Sequence, residues 1–196
     1  MKNIILFTSL LFTGTTNAAL LSIGNFTDNG GGSYTLSTNS NIPDTTIENF
    51  VGLPAGQLDL LSTGNATVGS AITDSFNITA GQTFSFDWSW TSDEIQGATF
   101  NDFSFYSLSL NGSGVLADTF TPDGTTSSFS WLASSSGLLQ YGIGVMDVND
   151  QIVDSFLTVN NISLSSNNNN VPEPTSIALL GLGLAGLSFS RKKKTA

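Results

Sequence analysis

The clearest pattern along the chain is the alternation Phe84-Ser85-Phe86-Asp87-Trp88-Ser89-Trp90, which puts four aromatic residues on one face of an extended segment. Tyr141-Gly142-Ile143-Gly144-Val145 alternates likewise, and Ile72 to Ile78 does so less cleanly. Between Phe100 and Leu110 the phase changes. Phe103 and Phe105 share one parity while Tyr106, Leu108 and Leu110 span the other, which predicts a bulge or a strand buried on both faces. Ala80-Gly81, Asn111-Gly112 and Asp123-Gly124 mark turns between such runs. No stretch sustains helical periodicity. Short strands with regular turn signals predict an all-β fold, a single antiparallel β-sandwich of jelly-roll-like form.

The two ends of the chain break this pattern. Lys2 precedes a short apolar run, Ile4-Ile5-Leu6-Phe7 and Leu10-Leu11-Phe12, and small or polar residues close it at Thr16-Asn17-Ala18. That run is too short to span a bilayer and reads as a cleavable secretory signal over residues 1–18, handed to the general secretion machinery. The expected cut follows Ala18, or else Ala19. A buried N-terminal strand is the plainer alternative.

At the other end, residues 165–170 finish in four asparagines and read as a polar linker after a β domain at 19–164. Residues 171–196 then run Val171-Pro172-Glu173-Pro174, an apolar stretch from Ile177 to Phe189, and Arg191-Lys192-Lys193-Lys194. The two prolines hold the backbone extended just outside the apolar stretch. A helix from Pro174 to Ser190 would rise about 25 Å, enough for a thin or locally thinned bilayer. The basic cluster behind it would keep the C-terminus in the cytoplasm.

Charge sharpens this division. The five basic residues are Lys2, Arg191, Lys192, Lys193 and Lys194, so none lies between Ala19 and Asn170, whereas all but one of the fifteen acidic residues do. The central domain is a polyanion without internal counter-charge. It repels nucleic acid and anionic membranes and attracts divalent cations or basic partners. Solubility alone is the bland reading of the same charge.

Val171-Pro172-Glu173-Pro174, a Gly/Leu-rich apolar helix and a basic stop together resemble the PEP-CTERM sorting signal. The resemblance covers the last 26 residues and implies recognition by an exosortase, a membrane-embedded protease-transpeptidase that cuts near the Pro-Glu-Pro motif. It further implies export by a Gram-negative bacterium, a transient inner-membrane anchor, and a destination at the cell surface or in an extracellular, biofilm-type matrix. An ordinary C-terminal anchor is the alternative, and it has no need of Pro-Glu-Pro. In the central domain, Phe86-Asp87-Trp88, Ser92-Asp93-Glu94 and Asn101-Asp102-Phe103-Ser104-Phe105 resemble a pattern in secreted bacterial adhesin-like β-sandwich modules. Ala80-Gly81-Gln82-Thr83-Phe84 is similar to the turn-into-strand of jelly-roll carbohydrate-binding modules.

Candidate chemistry is sparse. Histidine and cysteine are both absent, which removes the commonest general base, the commonest transition-metal ligand and any disulfide or thiolate site. Serine nucleophiles have no histidine or lysine base, and no Gly-x-Ser-x-Gly elbow occurs. A carboxylate pair could serve a glycosidase, but no spacing fixes one. The expectation is a non-enzymatic protein. Acidic and amide residues gather at Asp87, Asp93, Glu94, Asn101 and Asp102, and again at Asp147, Asn149, Asp150 and Asp154. Such oxygen donors suit Ca²⁺, and Asp93, Glu94, Asp102 and then Asp150 are the leading candidates. Solvated, turn-capping carboxylates are the bland reading. Trp88, Trp90, Trp131 and Tyr106 could stack on sugars of an exopolysaccharide, although an alternating aromatic stripe is more often a sandwich's inner face. Ice binding is a third possibility for function, disfavoured because regular Thr-x-Thr ranks are absent.

Overall fold

The computed structural model describes residues 19–97 and 99–166. The expected secretory signal, Val171 to Pro174, the apolar stretch and the basic cluster lie outside the described residues.

The described strands are β1 (Leu21–Ile23), β2 (Asn25–Gly30), β3 (Ser33–Ser37), β4 (Ala66–Ile78), β5 (Gln82–Ser92), β6 (Phe103–Leu108), β7 (Gly112–Asp118), β8 (Thr125–Leu132), β9 (Gly137–Val148) and β10 (Ser155–Ser166). They form two five-stranded antiparallel sheets, ordered β1-β4-β9-β6-β7 and β2-β3-β10-β5-β8. The sandwich expected from the alternating runs is the observed architecture. Strand β10 continues through Ser165 and Ser166, two residues past the expected end of the domain. The expected turn glycines sit where a left-handed backbone is needed: Gly112, which opens β7 after the turn from β6, has φ 89°, a region that an L side chain rarely enters.

Packing follows the period-two pattern. Phe84, Phe86, Trp88 and Trp90 of β5 are all buried and face Ile72 of β4 and Leu139, Tyr141, Ile143 and Val145 of β9. The Phe84 and Tyr141 rings stand 4.9 Å apart between centroids. Removing these side chains from water supplies the main drive for closing one sheet on the other.

Both explanations offered for the phase change near Phe103 hold. Strand β6 is buried on both faces, and its register against β7 shifts between Ser104 and Phe105. Tyr106 and Leu108 turn to the inter-sheet core, while Phe103 and Phe105 belong to a second cluster with Ile47, Val51, Leu58, Met146 and Val148.

That second cluster contains an element the alternation does not foretell. Helix α1 (Asp44–Val51) packs on the outer face of β4 and β9. Two turns give only Ile47 and Val51 as an apolar i, i+4 pair, too little for periodicity to register. Local punctuation does mark it: Pro43 precedes it, Asp44 opens it, and Gly52 closes it at φ 75°. The buried Glu48 carboxylate then accepts the backbone N–H of Gly56 (2.9 Å) and of Leu58 (2.8 Å), fixing the loop that follows.

Candidate functional site

At one end of the sandwich β5 and β9 finish and β6 and β10 begin, so the carboxyl groups of two loops and two strand ends meet there. Asp102, just before β6, is buried. Its Oδ1 accepts the N–H of Val148 at 3.0 Å and its Oδ2 accepts the hydroxyl of Ser155 at 2.7 Å. Burial pushes the Asp102 carboxyl up to about 7. The Ser155 and Val148 hydrogen bonds oppose that rise, and the charges of Glu94 and Asp150 add to it.

Asp147, near the end of β9, is only 2% exposed. Burial first, then the neighbouring Asp102 charge and a direct contact with the Asp150 carboxyl, pushes it up to about 8. Glu94 is also raised, mainly by burial and then by Asp150. Glu94 Oε1, Asp147 Oδ1 and Asp150 Oδ1 are buried oxygens without a hydrogen-bond partner. Native proteins rarely leave such atoms unanswered.

The backbone between Asp147 and Asp150 is pinned. Thr67 Oγ1 donates to the carbonyls of Asp147 (3.2 Å) and Asp150 (2.9 Å). Asn149 stands at φ 68°, a conformation asparagine tolerates better than most residues. Its amide donates to the Thr99 carbonyl at 2.6 Å, and its side-chain oxygen accepts the N–H of Asn65 at 3.1 Å.

Of the four sequence candidates for a cation, Glu94 and Asp150 lie near enough to Asp102 for their charges to raise its carboxyl, but among the described residues no three acidic side chains form a group that could hold a metal ion. Asp93 is exposed; its N–H bonds the Asp154 carbonyl at 3.1 Å. Asp147 is the residue the ranking missed. Its parity was the available signal, because it follows Tyr141, Ile143 and Val145 on the inward face. Beside the carboxylates lies a cleft of about 530 Å³ whose walls include the exposed Ile95, Phe100 and Ile152.

The aromatic candidates are occupied elsewhere. Trp88 and Trp90 are core residues, Trp131 packs against the same core, and Tyr106 packs on Phe129 with tilted rings whose centroids are 4.4 Å apart. A different aromatic cleft, of about 260 Å³, is lined by Tyr34, Phe76 and Tyr141 together with Asp74 and Asn161. Neither Tyr34 nor Phe76 was singled out by the sequence pattern.

Residues 170–192 match the PEP-CTERM protein-sorting motif, so the chain carries the signal that its C-terminal residues resemble. No curated protein matches the chain. Among solved structures it is similar to the N-terminal cellulose-binding domain from Cellulomonas fimi beta-1,4-glucanase C, at 13% identity and a TM-score of 0.32 over 75% of this chain and 88% of that one. It is also similar to a Family 16 Carbohydrate Binding Module-2, at 11% identity and a TM-score of 0.31 over 72% of this chain and 90% of that one. Overlaps this slight carry nothing about ligand. Among the described residues no helix is long and apolar enough to cross a membrane; the expected anchor lies outside them.

Proposed function

We propose that this is an exported, non-enzymatic protein of the bacterial surface or extracellular matrix, sorted through its C-terminal signal and trimmed there by an exosortase. The observation that carries the reading is the sorting motif at 170–192, which begins four residues after the last described strand. The general secretion machinery would take the chain by residues 1–18. The apolar stretch and Arg191 to Lys194 would hold it in the inner membrane until cleavage near Pro172-Glu173-Pro174. A chain without histidine or cysteine lacks the usual nucleophile and base chemistry. Mass spectrometry of the protein recovered from the host surface tests the reading through both termini. A mature chain starting at Ala19 or Leu20 and ending near Pro174 is expected. Peptides spanning Ile177 to Ala196 in the bulk of surface protein would contradict it.

The cleft where the half-buried Tyr34 and Phe76 meet Asp74 and Asn161, floored by the buried Tyr141, favours exopolysaccharide as partner, since part-exposed rings beside a carboxylate and an amide suit a sugar's CH faces and hydroxyls. Pull-down on the host's purified exopolysaccharide, with Tyr34→Ala as the variant, tests this; retention unaffected by the substitution would reject the cleft.

A further inference from the structure

We propose that the free edge of β8 joins two copies of this chain as an antiparallel pair, closing a dimer through one continuous sheet. Among the described residues β1, β7, β2 and β8 stand at sheet edges. An edge strand offers unpaired N–H and C=O groups to any extended chain. Three of these edges carry a feature that blocks such pairing. Strand β1 has only three residues. Strand β2 contains Asp28, and its register against β3 shifts between Asp28 and Gly30. Strand β7 ends in Asp118, and its register against β6 shifts between Ser104 and Phe105. Strand β8 has none of these. Thr125–Leu132 is eight residues long without a charge, a proline or a glycine. It pairs with β5 residue for residue, from Leu132 on Thr83 to Thr125 on Trp90, with no shift.

The side chains of β8 suit the same edge on a second copy. Phe129 packs on Phe86 of β5 and on Tyr106 of β6, yet Phe129 and Trp131 stay half-buried at the margin of the inter-sheet core. A two-fold axis near Phe129 would set its ring beside its counterpart and cover what both rings leave open. On the outer face the same axis sets Ser128 of one copy opposite Ser130 of the other, a pairing of hydroxyls. Charge does not oppose the joint. The outer-face carboxylate of β5, Asp87, already accepts the Ser128 hydroxyl and the Asn161 amide. Across the joint the two Asp87 residues lie three strand spacings apart, about 14 Å. That exceeds the screening length of about 8 Å at physiological salt. A basic partner finds no carboxylate on β8 itself, so the uncharged edge selects another uncharged edge. Because the two-fold consumes the β8 edge of both copies, and β1, β2 and β7 are guarded, assembly stops at two.

Sedimentation velocity of the full-length chain over a concentration series, with circular dichroism to check folding, tests the proposal. The parent should show a monomer giving way to a dimer, tightened by added salt because screening relieves like-charge repulsion. Ser128→Lys combined with Ser130→Lys sets lysine against lysine across the two-fold and should leave a folded monomer, since like charges directly opposite repel. Both side chains are exposed in the single copy. If the double variant does not fold, Ser130→Lys alone decides, with a dimer at least tenfold weaker expected. Thr27→Lys, exposed on β2, should dimerise as the parent does. A parent that stays monomeric would mean that the edge remains solvated or is covered by another part of the chain. That result, a dimer that persists in the folded β8 variant, a dimer lost in Thr27→Lys, or open-ended assemblies in the parent would overturn the β8 joint.

Discussion

The Ser155 hydroxyl lies 2.7 Å from Asp102 Oδ2 and 2.8 Å from the Ser92 hydroxyl, so one buried contact joins the entry to β6, the end of β5 and the start of β10. Ser155 also accepts the Thr38 N–H at its carbonyl and donates its own N–H to Thr38 Oγ1, which adds the end of β3. Four strands of the sandwich are thereby fastened at the end that carries the acidic cluster.

Asp102→Ala should accordingly destabilise the fold by about 2–4 kcal/mol, since it removes the buried acceptor of both the Val148 N–H and the Ser155 hydroxyl and leaves the latter only Ser92. Asp102→Asn keeps an acceptor for Val148 and should cost markedly less. Urea unfolding of the three proteins checks this. An alanine variant as stable as the parent would show that the strand ends are held by packing alone.

In metal-free solution the buried carboxyls set a pH dependence of definite sign. Asp102 and Asp147 titrate at about 7 and about 8 in the folded chain, both raised chiefly by burial, against an ordinary aspartate value near ~3.9 when unfolded. The folded state therefore holds more protons than the unfolded state between these limits. The stability these groups contribute is fully present below about pH 4 and is lost as pH rises through 7 to 8. Urea midpoints in EGTA should fall across that window, with Glu94 and Asp150 facing the same groups, and Asp147→Asn should flatten the fall. A midpoint that climbs from pH 5 to 8 would reverse the assignment.

Phe86 tests the inter-sheet core. Its ring is buried and stacks on Phe129 with centroids 5.0 Å apart, so Phe86→Ala should cost about 3–5 kcal/mol. Ser85 points the other way, toward the Ser163 hydroxyl at 3.2 Å. Ser85→Thr keeps that hydroxyl and should change stability by less than about 0.5 kcal/mol. Chemical denaturation of both variants separates the two faces of β5. Normal stability in Phe86→Ala would mean that the aromatic stripe is not the core.

The contrast between β5 and β9 explains what the sequence made legible. In β5 polar residues alternate with aromatics, so the pattern names both faces correctly. In β9 glycines alternate with Tyr141, Ile143 and Val145, and glycine does not say what it faces. Gly142 and Gly144 face α1 and Phe105, not water. The helix was hidden for the same kind of reason, since its contact is written as Ile47, Val51 and the absence of side chains opposite them. The acidic end was half legible. Composition gathered Asp102 and Asp150, but only strand parity buries Asp147, and only the turn at Asn149 brings Asp147 against Asp150. No local pattern encodes the approach of Asp102 to that turn, because it depends on β9 ending beside the start of β6.

The glycine face supplies the last prediction. A Cβ placed on Gly142 would stand 2.4 Å from Val51 Cβ and 2.5 Å from Ser107 Oγ, closer than real side chains approach. Gly142→Ala must therefore push α1 off the sheet or bend β9, at a cost of about 1–3 kcal/mol for overpacking. Val51→Ala alone should also destabilise, by opening a void where its side chain was. Val51→Ala keeps Cβ but removes the Cγ1 that a Gly142 Cβ would meet at 2.7 Å, so the combined cost should be less than the sum by at least about 0.5 kcal/mol, the mark of direct contact. A double-mutant cycle from urea unfolding measures this. Strict additivity would mean that Val51 does not rest on Gly142, and that the helix is held instead by Ile47 and by the loop that Glu48 organises.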